Sequence, residues 1–124
     1  MSKSKKNETK IKKRTITPDV NRVLRALDEK ESFYFYKAEG KPLGEKADSL
    51  TNFAKVIEKI DSLSLEFHYY RGDFGRWIIN VIGDSVLGYR LNGKEGIILH
   101  GEDLRNNIQH QLKNRFNELN VNRS

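Results

Sequence analysis

Cysteine is absent from the 124 residues, and several chemistries are absent with it. No disulfide framework, thiol nucleophile or cysteine-containing zinc site can be built. No run of eighteen apolar residues occurs, so no segment reads as a membrane span. The N-terminal lysines are not followed by an apolar stretch, which does not fit a secretory signal peptide. A cytoplasmic protein is the expectation. Only three histidines are present, His68, His100 and His110, and no HExxH-type spacing joins them. Gly72–Gly75 and Gly83–Gly88 lack both the lysine of a phosphate loop and the spacing of a dinucleotide fingerprint. No metal and no cofactor are therefore expected. There is no internal repeat, and the length suits one domain able to bury its own core.

Negative charge is scarce at one end of the chain. Residues 1–16 hold Lys3, Lys5, Lys6, Lys10, Lys12, Lys13 and Arg14 against Glu8 alone, which accounts for the whole formal net charge of +6. The rest of the chain carries equal numbers of basic and acidic residues and is neutral. A block of like charges repels itself, so residues 1–15 read as a disordered basic arm. Such an arm suits a polyanion, because each phosphate it neutralises releases counterions. Two other uses remain open: a solubilising tail, or an acidic membrane surface into which only Ile11 and Ile16 could insert.

Beyond the arm the chain is patterned for helices. In TPDVNRVLRALDEK, Thr17 can cap, Pro18 suits the first helical position, and Val20, Val23, Leu24 and Leu27 make one apolar face. Arg22 and Arg25 lie off that face and could extend the positive charge of the arm. Phe33 to Tyr36 is a row of four aromatics, suited to an extended segment or a short buried turn, with alternate residues in a core. Base stacking is the alternative use. Gly40, Pro42 and Gly44 then mark a loop or a small hairpin near 34–44.

DSLTNFAKVIEKI predicts a helix capped by Asp48 or Ser49, with Leu50, Phe53, Ala54, Ile57 and Ile60 on one stripe. DSLSLEFHYYR fits a strand or a helix. Caps at Ser62 or Ser64 and a left-handed stop at Gly72 favour the helix. Asp73 is expected to cap the next helix, which carries Phe74, Trp77, Ile78 and Val81, with Trp77 buried against Leu112 or Phe116. Gly83 and Asp84 repeat the device before a short helix with Val86 and Leu87. NGKEG reads as a turn. A last amphipathic helix over 102–119 carries Leu104, Ile108, Leu112, Phe116 and Leu119, and residues 120–124 are expected to fray.

FHYYRGDF, residues 67–74, concentrates the polar chemistry of the chain. As a corner between helices it places Arg71 at a negative helix end and Asp73 at a positive one, with Phe67 and Phe74 facing the core. Asp73 could also pair with Arg71 or Arg76. As a catalytic site it would centre on His68, Arg71 and Asp73. His68 would be a base oriented by Glu66 or Asp73, and the nucleophile would be Ser62, Ser64, Tyr69 or Tyr70. None of these stands in a recognisable nucleophile elbow or triad order, so the structural reading is favoured.

Residues 33–119 resemble a prokaryotic, largely archaeal, domain family of unknown function. The resemblance is carried by Ser64, Leu65, Phe67, His68, Arg71, Gly72, Asp73, Phe74, Trp77, Gly83 and Asp84, and again by Gly101, Glu102, Leu104 and Arg105. It marks a fold and implies no activity. Gly75 and Gly88 stand where good helix formers are expected, so both helices are expected to be loosened. The basic arm lies outside the resemblance.

The fold expected is mostly or entirely helical, a single compact domain over 16–119 with about five helices. The function favoured is a non-enzymatic accessory module that engages nucleic acid, or an assembly bearing it, through Lys3, Lys5, Lys6, Lys10, Lys12, Lys13 and Arg14, extended by Arg22 and Arg25. The alternatives are a protein-interaction or regulatory domain and an enzyme centred on His68, Arg71 and Asp73.

Overall fold

The computed structural model describes residues 19–92 and 98–123, with side chains through Asn120. The basic arm, the Thr17–Pro18 cap and most of the NGKEG turn lie outside the described residues. The elements in order are α1 (Val20–Val23), β1 (Phe33–Ala38), β2 (Lys41–Ala47), α2 (Leu50–Lys59), α3 (Ser62–Arg71), α4 (Asp73–Trp77), a π-helical turn (Ile78–Ile82), α5 (Ser85–Arg90) and α6 (Gly101–Arg123). The chain is mostly helical, with one antiparallel hairpin that pairs Phe33 with Ala47 and Tyr34 with Lys46. No described helix is long and apolar enough to cross a membrane.

The hairpin settles the aromatic row as a strand. Phe33 and Phe35 are buried, Tyr34 is exposed and Tyr36 is half-buried, the period of two that a half-buried strand requires. β1 packs on α3, whose other contacts include α6, while α2 touches β2 and α6. The core between them is aromatic at the hairpin end. Phe33 meets Phe35, Phe53, Phe74 and Trp77 with ring centroids 4.9–6.0 Å apart. Toward the C-terminal helix it becomes aliphatic through Leu65, Ile78, Ile82, Leu87, Leu104 and Ile108, all fully buried.

The first helix is much shorter than its sequence pattern implies. Val23 and Leu27 are buried as expected, but only Val20–Val23 is helical, capped by Asp19. The Leu24 amide still bonds the Val20 carbonyl, and beyond it the backbone finds other partners. Leu27 N–H donates to the Asp48 carbonyl at 2.7 Å. Asp28 closes a turn by accepting from Glu31 and Ser32. A local aspartate and a tertiary carbonyl together outcompete the continued helix.

Several expected details also change. Asp61 caps α3, accepting from Leu63 N–H at 2.9 Å, in place of Ser62 or Ser64. Gly72 is the left-handed stop, at φ 79°. Asp73 is the first residue of α4 and makes no cap bond, because three cationic or ring donors take its carboxylate. Trp77 is buried, but its ring partners are Phe33 and Phe53, and its Nε1–H donates to the Glu31 carbonyl at 2.7 Å. The expectation had placed it against Leu112 or Phe116. The last helix runs on to Arg123, beyond the 119 inferred from the apolar stripe.

The two glycines expected to loosen helices instead allow them to touch. A Cβ on Gly75 would lie 3.0 Å from the Gly88 carbonyl oxygen, and one on Gly88 would lie 3.1 Å from the Gly75 carbonyl oxygen and 2.3 Å from Ile79. Both glycines are buried. A Cβ at either position would crowd the facing backbone and the side chain of Asn92 or Ile79, so the close crossing of α4 and α5 suits glycine.

Candidate site at the hairpin–corner groove

The structure brings His68, Arg71 and Asp73 together. α3 presents His68 and Arg71 in its last turn, and the left-handed Gly72 reverses the chain so that Asp73 returns to face them. His68 Nδ1 lies 2.8 Å from Asp73 Oδ2. Arg71 Nε lies 3.4 Å from the same oxygen, and Arg76 pairs with Oδ1. Arg71 also reaches Glu39 at the hairpin tip, 3.4 Å away, and its guanidinium sits 4.5 Å over the Phe67 ring. Phe67 is therefore half-buried beneath an arginine, whereas the sequence reading had it facing the core.

The tautomer of His68 follows from its partners. The Tyr36 backbone N–H donates to Nε2 at 2.8 Å, so Nε2 must carry a lone pair. The ring proton then lies on Nδ1 and is donated to Asp73. The ring is 4 % exposed and surrounded by Phe33, Phe35, Phe67 and Phe74. Burial pushes its pKa below 6.5, against the opposing pull of the Asp73 hydrogen bond and charge, and Arg71 lowers it further. A general base needs a free lone pair pointed at a substrate proton. The lone pair of His68 is already occupied by the backbone.

A groove of about 600 Å³ opens between the hairpin and this corner, lined by Tyr34, Tyr36, Glu39, Phe67, Arg71 and Arg76 among others. Of the serine and tyrosine nucleophiles considered, Ser64 is fully buried in α3 and Tyr70 hydrogen-bonds both the Leu99 carbonyl and its N–H. Burial raises the pKa of Tyr69, and the neighbouring Tyr70 raises it further. Glu66 accepts from Gly101 N–H at 2.8 Å and faces His100, not His68. Among the described residues no cluster of His, Asp and Glu could hold a metal ion. The role of Tyr36 was not legible, because strand register decides which amide meets the imidazole.

The arginines of the folded body largely serve its own framework. Arg25 donates to the carbonyls of Val81 and Ile82, at 2.8 and 3.4 Å, closing the end of the π-helical turn. Arg105 donates to Ile57 at the end of α2, at 2.7 Å, and Arg76 to Arg71 at the end of α3, at 3.0 Å. Arg115 holds Asp84, and Arg90 and Arg115 share Glu118. Arg25 was expected to extend the charge of the arm, but its guanidinium is committed to helix-end carbonyls. Arg22 is exposed, with its guanidinium resting on Gly83, where a Cβ would fall 2.1 Å away.

Compared with family models, with curated proteins and with solved structures, the chain matches none of them.

Proposed function

We propose that this chain is a non-enzymatic accessory module that engages nucleic acid, or an assembly bearing it, through Lys3, Lys5, Lys6, Lys10, Lys12, Lys13 and Arg14, in a cytoplasmic setting. The observation that carries the reading is the segregation of charge. The whole net charge of +6 falls on residues 1–16. The structure adds a supporting contrast: Arg25, Arg76, Arg90, Arg105 and Arg115 are all engaged by carboxylates or carbonyls of the body. A phosphate would have to displace those partners, whereas the N-terminal lysines have almost no acidic residue beside them in sequence. The non-enzymatic part rests on His68, whose two ring nitrogens both have partners within the fold.

Contacts of this kind position a protein on phosphates and read little sequence. The test is an electrophoretic shift titration of the full chain with DNA and RNA. It is run beside a variant in which all seven N-terminal cations are glutamine. The expected result is sequence-tolerant binding whose log–log salt slope drops by about one unit for each lost contact. Arg22→Gln should weaken binding slightly. Absence of binding by the full chain at low salt overturns the reading. Undiminished binding by the glutamine variant moves the site to the body.

A second reading, a protein-interaction module, is favoured by the open groove with half-buried Tyr36 and Phe67 on its walls. It takes first place if nucleic acid does not bind.

A further inference from the structure

His68 joins β1 to the α3–α4 corner by hydrogen bonds at both ring nitrogens. One bond goes to the hairpin, from Tyr36 N–H to Nε2, and the other to the corner, from Nδ1–H to Asp73. The two bonds respond oppositely to a proton. A proton on Nε2 converts that atom from acceptor to donor, and it would then face the Tyr36 N–H, 2.8 Å away, donor against donor. The same proton strengthens the bond to Asp73, which becomes an ion pair between opposite charges.

We propose that His68 is a proton-operated latch, in which protonation of Nε2 releases Tyr36 and the hairpin tip beyond it from the α3–α4 corner while the His68–Asp73 pair stays closed. The movement has a direction because the imidazole belongs to the corner and its far nitrogen holds β1 at Tyr36, beyond Phe33 and Phe35, which stay packed on Phe74. The groove is remodelled with it, since β1 and the hairpin tip supply Tyr34, Tyr36 and Glu39 to one wall and the corner supplies Phe67, Arg71 and Arg76 to the other.

The charged and titratable groups around the latch fit this behaviour. From the corner, Asp73 bonds the ring, while Arg71 and Arg76 both pair with Asp73 and balance its charge. From the hairpin come Tyr36, whose ring centroid lies 6.3 Å from the imidazole, and Glu39, which reaches the cluster only through Arg71. The α2 contribution to this end of the core is the neutral Phe53, stacked on Phe35. Release therefore exposes an imidazolium that already has its counter-ion. At the hairpin tip the tie from Glu39 to Arg71 is exposed and worth little.

The latch is tested by nuclear magnetic resonance on the full chain carrying His100→Asn and His110→Asn, so that His68 is the only histidine left to titrate. Ring nitrogen shifts of His68 and the Tyr36 amide are followed from pH 8 to 5. The expected neutral-form signature is a proton on Nδ1. Tyr36 amide protection should then fall by up to about tenfold per pH unit below pH 6.5, with the His68 transition, and should stay below that of the α3 and α6 amides throughout. His68→Gln should abolish the pH dependence of Tyr36. If that variant fails to fold, the ring and amide titrations in the histidine-bearing chain decide alone. The proposal is overturned if the Tyr36 amide is indifferent to His68 protonation. It is equally overturned if the Tyr36 amide exchanges no faster than the α3 and α6 amides, which would mean that it opens only by global unfolding.

Discussion

Arg115 holds Asp84 through two hydrogen bonds, Nε to Oδ2 at 2.7 Å and Nη2 to Oδ1 at 3.0 Å, and both residues are buried. The pair ties the long C-terminal helix to the start of α5, where Asp84 also caps by accepting from Leu87 N–H. Removing Arg115 leaves the buried Asp84 without its cation, and removing Asp84 leaves the buried Arg115 with Glu118 alone. Asp84→Ala should therefore destabilise by about 3–5 kcal/mol, and the double variant Asp84→Ala/Arg115→Met by clearly less than the sum of the two singles. Urea denaturation of the four proteins measures the coupling. Additive losses would mean that the two side chains do not act as a pair.

The contact between Gly75 and Gly88 predicts a steric cost. Gly75→Ala and Gly88→Ala would each raise intrinsic helix propensity. Each should nevertheless destabilise by about 1–3 kcal/mol, because the new methyl meets a backbone carbonyl oxygen at 3.0–3.1 Å. A gain in thermal stability from either change would show that α4 and α5 can separate freely.

Trp77 is the sole tryptophan and so reports on the hairpin side of the core. Its native emission should be blue-shifted and resistant to aqueous quenchers. Trp77→Ala should cost about 3–5 kcal/mol. Trp77→Phe should cost about 1–3 kcal/mol, chiefly through the Glu31 carbonyl left without its donor. Equal losses from the two substitutions would show that the indole bond contributes nothing.

Stability should fall with acid in two separate windows. The His68 pKa is lowered in the fold by burial, so the unfolded chain binds that proton more readily. Its contribution is complete above pH 6.5 and is lost as pH falls from there through the folded value. Glu118 is held below its ordinary 4.5 by hydrogen bonds from Arg115 and then Arg90. Its contribution is present above 4.5 and disappears as pH falls through its lower folded value. Denaturation midpoints from pH 8 to 3 should show both steps, and His68→Gln should remove the first alone. A midpoint flat between pH 7 and 5 would contradict the buried neutral imidazole.

What the sequence determined by itself was local. The stripe Leu50, Phe53 and Ile57 with Ser49 before it made α2, because a side-chain cap and a 3.6-residue period act within one segment. The glycines 72 and 83 marked two turns, since left-handed backbone is cheap only for glycine. The alternation in Phe33–Tyr36 was visible too, and the convergence of His68, Arg71 and Asp73 followed from a helix end and a turn. What depended on distant partners was decided only by tertiary structure. Val20–Leu27 had a helical period, yet the Asp48 carbonyl took the Leu27 amide and the helix stopped at Val23. Gly75 and Gly88 looked like weak helix formers until their backbones met. Arg25 looked like a free cation until the carbonyls of Val81 and Ile82, more than fifty residues away, accepted it. His68 could be named from its neighbours in sequence, but its tautomer came from the Tyr36 amide, which only strand register brings to the ring.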